Sequence, residues 1–282
     1  MLTTRDHVRL LGPDDRDAFL ALAAQDPVVN VFAAYRARVT NLEPRWLGGE
    51  MWGRFKGDEL VSGCHMGANL VPVQCTTQDV GCFAEAALGR MRSTATIVGP
   101  HPVVAALWDE VGGQWSRPRE TRWRQPHLQI DRDPDVAADP EVRETTSADL
   151  AAVYPACVAM YTEEVGVSPE DAGGKDLYRA RVQQLISRRW SFARFDESGR
   201  VIFKAEVACA TPYAAQIQGV YVHPDRRGEG LSVGGMAAVV ALVREQIAPT
   251  VSLYVNEWNS AARASYDRVG FTESTRLSTL MF

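Results

Sequence analysis

The chain has no apolar run long enough to cross a membrane. Its longest, residues 236–243, is closed by Arg244 and Glu245, far short of the roughly 20 residues that a spanning helix needs. No apolar stretch follows the opening Met-Leu-Thr-Thr-Arg-Asp-His, so the pattern of an export signal is missing and a cytoplasmic location is expected. Cysteine is sparse too. The five (Cys64, Cys75, Cys82, Cys157 and Cys209) are an odd set with no Cys-x-x-Cys pair and no matched histidine spacing. That argues against a zinc site or a disulfide framework, and no metal is expected. Net positive charge is also lacking, the balance at pH 7 being −5. There is then no global attraction for nucleic acid or anionic lipid, and any polyanion has to be held locally.

What is present is an ordinary apolar share, 46% over 282 residues, enough to bury a core and a soft prior for about two domains. Residues 131–140, within Ile-Asp-Arg-Asp-Pro-Asp-Val-Ala-Ala-Asp-Pro, are acidic, proline-bearing and aperiodic. They are the expected linker between a first domain, 1–130, and a second, 141–282.

On each side the hydrophobic pattern alternates between the two-residue period of strands and the 3.6-residue period of helices. In the first half, strands are expected at 8–11, 51–55, 60–66, 69–73, 94–98 and 123–130. Helices follow Gly12-Pro13-Asp14-Asp15 and are expected at 32–42, 78–91 and 102–111, with Lys56-Gly57-Asp58 as a hairpin turn. In the second half, strands are expected at 142–144, 190–195, 201–209, 213–222, 251–255 and 271–282. Its helices are a segment capped by Ser147-Ala148-Asp149, then 176–188, 232–246 and 261–269. Residues 102–112 and 260–270 are parallel in pattern, and the hairpin recurs, so a duplicated α/β unit is the simplest account. The expected fold class is α/β, more closely an α+β mixed sheet.

The most informative stretch is 219–233, Gly-Val-Tyr-Val-His-Pro-Asp-Arg-Arg-Gly-Glu-Gly-Leu-Ser-Val. A β-rich run meets a Pro-Asp turn, a basic glycine-spaced segment and then a helix pattern. Such an order builds an anion site, because the turn and the helix N-terminus present unpaired backbone N–H groups. His223 reads as part of the turn.

Arg227-Gly228-Glu229-Gly230-Leu231-Ser232 has the form Arg-x-x-Gly-x-small. Downstream stand Asn256, Asn259-Ser260-Ala261-Ala262 and Ser265-Tyr266-Asp267-Arg268-Val269-Gly270-Phe271. In this order the segments resemble the GCN5-related N-acetyltransferase (GNAT) superfamily, with Ser232 where that family prefers Gly or Ala. The resemblance covers residues 141–282. It implies two tandem GNAT-like units, each a mostly antiparallel splayed sheet flanked by helices, the second active and the first degenerate. Val80-Gly81-Cys82 is the first half's nearest approach to the glycine motif, and Trp108 stands in the place of Tyr266.

The resemblance further implies acetyl-CoA as co-substrate. Val220, Tyr221 and Val222 would hold the pantetheine and acyl group, with Gly219 relaxing the ladder so that a backbone N–H meets the thioester oxygen. Arg227, Gly228, Glu229, Gly230, Leu231 and Ser232 would hold the pyrophosphate, and Asn256 and Asn259 complete the coenzyme site. Tyr266 is the candidate general acid. Its ordinary pKa near 10 against about 8.5 for a thiol makes full proton donation uphill by about 2 kcal/mol, so hydrogen bonding to the leaving sulfur matters as much as transfer. For a base, Glu206 is chosen over Glu163, Glu164 and the carboxylate of Phe282. The implied reaction is direct acetyl transfer to a primary amine of a small molecule or protein, by a monomer or a homodimer. The alternative is a non-catalytic acyl-CoA-binding sensor, which would keep the cradle and need neither Tyr266 nor a base.

Overall fold

The computed structural model describes residues 6–89 and 94–282. Two compact units emerge, interleaved along the chain. The first comprises residues 1–127, 254–258 and 273–282, and the second residues 128–253 and 259–272.

The first unit runs β1 (Asp6–Leu10), α1 (Arg16–Ala23), α2 (Val31–Thr40), α3 (Pro44–Leu47), β2 (Gly49–Lys56), β3 (Glu59–Gly67), β4 (Asn69–Val73), α4 (Val80–Leu88), β5 (Thr96–Pro100), α5 (His101–Val111) and β6 (Glu120–Ile130). Strands β1 to β4 pair antiparallel, and β4 pairs parallel with β5. Met91, expected on the inner face of α4, lies outside the described residues. Among the described residues, two apolar clusters lie in this unit. One gathers Phe83, Val104, Leu107 and Ile97, the other Phe19, Leu22, Ala37 and Met51.

The last strand of the chain also belongs to this unit. β12 (Thr272–Met281) pairs antiparallel with β5, Leu277–Met281 against Thr96–Pro100. Residues 271–282 were expected to close the second half's sheet. The correction has a packing reason, since the fully buried Leu280 joins the cluster of Phe83 and Ile97, and Phe282 packs on Trp108 and Trp115.

The second unit runs β7 (Arg143–Glu144), α6 (Leu150–Val165), α7 (Lys175–Ser187), β8 (Ser191–Phe195), β9 (Val201–Ala210), β10 (Ala214–Val222), α8 (Leu231–Gln246), β11 (Thr250–Tyr254) and α9 (Ser260–Val269). The strands order β11-β10-β9-β8-β7, antiparallel except for the parallel β10–β11 pair. Helices α6 and α7 cover one face through Val153, Cys157, Val182 and Ile186. Helix α8 approaches β9 closely at Gly235, where a Cβ would stand 2.7 Å from the Phe203 ring.

Apart from the short α3, the element order of the second unit repeats that of the first, and so do its details. Arg9 donates two hydrogen bonds to Asp15 (2.7 and 2.8 Å) and lies 4.3 Å above the Phe55 ring. Arg143 makes the same fork on Asp149 (both 2.8 Å) and lies 4.7 Å above Phe195. Each aspartate also accepts the backbone N–H three residues before it, Gly12 in one case and Thr146 in the other. The strand ladders shift register at Arg54/Phe55 and at Arg194/Phe195. The duplication is therefore visible at single side chains.

Candidate functional site

The site in the second unit is built from a strand that stops behaving as one. The parallel ladder between β10 and β11 covers only Ala214–Gln216 among the described residues, so the β11-side edge of β10 has no ladder partner from Ile217 onward. On its other side β10 pairs Gln218 with Glu206 and then Tyr221 with Lys204. Gly219 and Val220 thus oppose the single residue Ala205, a bulge that frees backbone groups. Gly219 carries it with φ of +62°. A Cβ there would sit 3.0 Å from Glu206 Cδ and Lys204 Nζ and 3.1 Å from Met160 Cε, so both conformation and space call for glycine.

Beneath the bulge lies a buried polar cluster. Lys204 has no exposed side-chain surface, and its Nζ donates to Glu206 Oε2 and to the Gly219 carbonyl, each at 3.0 Å. Gln218 Nε2 donates to the other Glu206 oxygen at 2.8 Å. Burial opposes the Lys204 ammonium, yet the Glu206 carboxylate and the adjacent Cys157 outweigh it and raise the lysine pKa. Cys157 itself is pushed up, chiefly by burial, which suits a thiol that stays protonated.

After β10 the chain turns through a short 3-10 segment, Pro224–Arg226, on which His223 Nδ1 accepts the N–H of Asp225 at 3.3 Å. Gly228 (φ +84°) and Gly230 (φ +80°) follow, and Gly230 is the N-cap of α8. Nothing lies within 4 Å of a Cβ built at either glycine, so the left-handed backbone, rather than crowding, requires them. The loop delivers the chain into a 16-residue helix whose first N–H groups have no intrahelical acceptors. Arg227 is anchored to it, Nε donating to the Val222 carbonyl at 3.2 Å while Nη2 pairs with Glu163 of α6 at 2.7 Å. Glu229 pairs with Arg226.

Ser232 links the glycine loop to the helix that follows β11. Its hydroxyl meets that of Ser265 at 2.8 Å, and Ser265 donates onward to the Ala261 carbonyl at 3.1 Å. The Ser232 proton is thereby committed to tying α8 to α9. Asn259 is the N-cap of α9, its side chain accepting from the N–H of Ala262 at 3.1 Å. Tyr266, on the same helix, is buried edge-on to Phe271, and its pKa is raised by burial and then by the Glu164 charge.

The second unit thus holds Glu206, Val220, Tyr221, Val222, the 227–232 loop, Asn259 and Tyr266. Asn256 falls in the first unit, buried, with Oδ1 accepting from Gln125 Nε2 at 2.9 Å while Gln125 Oε1 accepts from Thr279 at 2.7 Å. Phe282, the alternative base, belongs to that unit as well. Lys204 and Gln218 were not singled out in the sequence. The available signal was Lys204 and Glu206 two apart on a strand, hence on one face. A separate cleft of about 940 Å³ in this unit is lined by Arg143, Asp149, Arg194 and Arg226 and includes no residue of the bulge. Its arginines are already paired with acids, so geometry favours the bulge and glycine loop as the place for chemistry.

The corresponding loop of the first unit is closed on itself. Asp79 at the N-terminus of α4 is buried, accepts from the N–H and hydroxyl of Thr76 (2.7 and 3.0 Å) and pairs with Arg54 at 2.7 Å. An anionic side chain thus stands at the start of this helix, bound to Thr76 and Arg54.

Residues 49–153 match a family model described as a domain of unknown function (DUF4081), and residues 202–279 match one described as FR47-like protein. No curated protein matches the chain. Among solved structures, a GCN5-related N-acetyltransferase from Sphaerobacter thermophilus is 18% identical with a TM-score of 0.64, covering 100% of this chain and 97% of that one. A GNAT-family acetyltransferase from Colwellia psychrerythraea is 14% identical with a TM-score of 0.60, covering 98% and 99%. A tandem GNAT protein from the clavulanic acid biosynthesis pathway is 16% identical with a TM-score of 0.59, covering 98% of each chain. Over nearly its whole length the chain thus has the fold of these N-acetyltransferases, one of them a tandem protein, and its residues 202–279 carry an FR47-like segment.

Proposed function

We propose that the second unit transfers an acetyl group from acetyl-CoA directly to a primary amine. The observation that carries this is the continuity of a bulged, partly unladdered β10 with a loop of left-handed glycines opening onto α8. An extended pantetheine arm adds to a free strand edge as a further strand would, and a pyrophosphate suits the helix N-terminus that follows. Val220 to Val222 hold the arm and acyl group, and residues 227–232 the pyrophosphate.

The amine nitrogen attacks the thioester carbon, and the negative charge moves to the carbonyl oxygen, where a bulge N–H receives it. The nitrogen then loses its proton to water, the C–S bond breaks and the thiolate leaves against the Tyr266 hydroxyl. Glu206 is committed through both oxygens to Lys204 and Gln218. To serve as base it would have to surrender one of them, so we assign it to the support of the bulge.

Arg227 faces a choice between Glu163 and the coenzyme. Calorimetry with coenzyme A should show Arg227→Ala weakening binding about 10-fold and Glu163→Gln tightening it by about 2- to 5-fold, because a half-exposed ion pair no longer competes. Thiol release with a panel of amines tests the transfer itself. Tight coenzyme binding with no turnover on any amine would favour the acyl-CoA sensor.

A further inference from the structure

We infer that Lys204 is a positioning residue for acyl transfer, holding the Gly219 carbonyl and thereby aiming the N–H of Val220 at the thioester oxygen. The inference rests on the reading that the second unit binds acetyl-CoA with its thioester at the bulge.

A lysine on an inner strand is costly. Its ammonium has three protons to satisfy and loses its hydration on burial. Here two acceptors are Glu206 and the Gly219 carbonyl at 3.0 Å each, and Cys157 lies against the same nitrogen. An ion pair serving stability alone would need only Glu206. The bond to Gly219 reaches a peptide group inside the bulge, where Gly219 and Val220 have left the register.

That bond fixes more than the carbonyl. The peptide is trans, as are all those described, so the N–H of Val220 points opposite to the Gly219 carbonyl. With the carbonyl held toward the buried ammonium, this N–H faces away from it. Glu206 completes the clamp by receiving Gln218, the residue just before the bulge. Gly219 is therefore tied to side chains of β9 directly through its carbonyl and, one residue earlier, through the side chain of Gln218, and the left-handed backbone that glycine favours is kept from rotating. An oxyanion donor is effective to the extent that it is aimed before the charge appears.

The test separates aim from stability. Lys204→Met alone would leave Glu206 buried and unpaired, so the informative protein is Lys204→Met with Glu206→Leu, which removes both charges and keeps the volume. Acetyl-CoA labelled with ¹³C at the thioester carbonyl is bound to each protein and its stretching frequency recorded by difference infrared spectroscopy. In the wild type the band should lie below that of free acetyl-CoA. In the double variant it should return toward the free value, with kcat down about 10- to 100-fold and affinity for coenzyme A within about 3-fold. A folded double variant with unchanged band and unchanged kcat would overturn the inference. Failure of the underlying reading looks different, because the wild type itself would then bind no acetyl-CoA.

Discussion

At Tyr266, burial against Phe271 and the charge of Glu164 both disfavour the phenolate, so the hydroxyl stays protonated well above the ordinary tyrosine range near 10. Complete transfer of its proton to a thiolate is then more uphill than for a free tyrosine, and the role proposed for it is a hydrogen bond to the leaving sulfur. Tyr266→Phe is expected to lower kcat by about 10- to 100-fold and leave coenzyme affinity within about 2-fold. In the wild type the pH profile of kcat should show no falling limb from this group up to about pH 10, and steady-state kinetics over pH 7–10 checks both points. Tyr266 could be singled out from sequence because its motif is local, running from Ser265 to Phe271. Lys204 could not, since its meaning depends on a carbonyl fifteen residues away that turns inward only because of the bulge. Asn259 was legible as a motif residue, but its role as a helix cap needed coordinates.

Helix starts carry the clearest pH dependence. Asp149 accepts from Arg143 and from the N–H and hydroxyl of Thr146, and the Arg143 hydrogen bonds above all hold its pKa below the usual carboxylate range. A carboxyl whose pKa is depressed on folding stabilises the protein above its unfolded value, near 4, and that contribution is lost as pH falls through the folded value. Asp149→Asn should therefore cost about 1–2 kcal/mol at pH 7 and progressively less below pH 4. Urea unfolding of both proteins at pH 7 and pH 3.5 checks the sign. Asp15 repeats the arrangement, its pKa likewise lowered first by Arg9. Elements at this scale were legible because caps and periodicity are local. The order of strands and helices was readable apart from the short α3, with described boundaries displaced by up to three residues. The exception in meaning was residues 271–282, readable as a strand but not as to its partner, because alternation specifies a buried face and never names the neighbour.

Across the whole molecule, the repeated order of elements combines with an interleaved use of the chain. Residues 131–140, the expected linker, are grouped with the second unit, and the first unit also draws on residues 254–258 and 273–282. Leu277–Met281 complete β5, and Leu280 fills the cluster formed by Phe83, Ile97, Val104 and Leu107. The stability of elements built from residues 80–111 thus depends on a strand more than 160 positions later. Leu280→Ala removes a side chain with no exposed surface and should cost about 2–5 kcal/mol through lost burial and the cavity left behind. Native-state hydrogen exchange reads where that loss falls. Amides of α4, β5 and α5 should lose protection first, while those of α6 and β9, which belong to the second unit, should keep theirs. Unchanged protection in β5 would mean that β12 contributes little to the first unit, and a fragment ending at residue 130 would then be expected to fold alone.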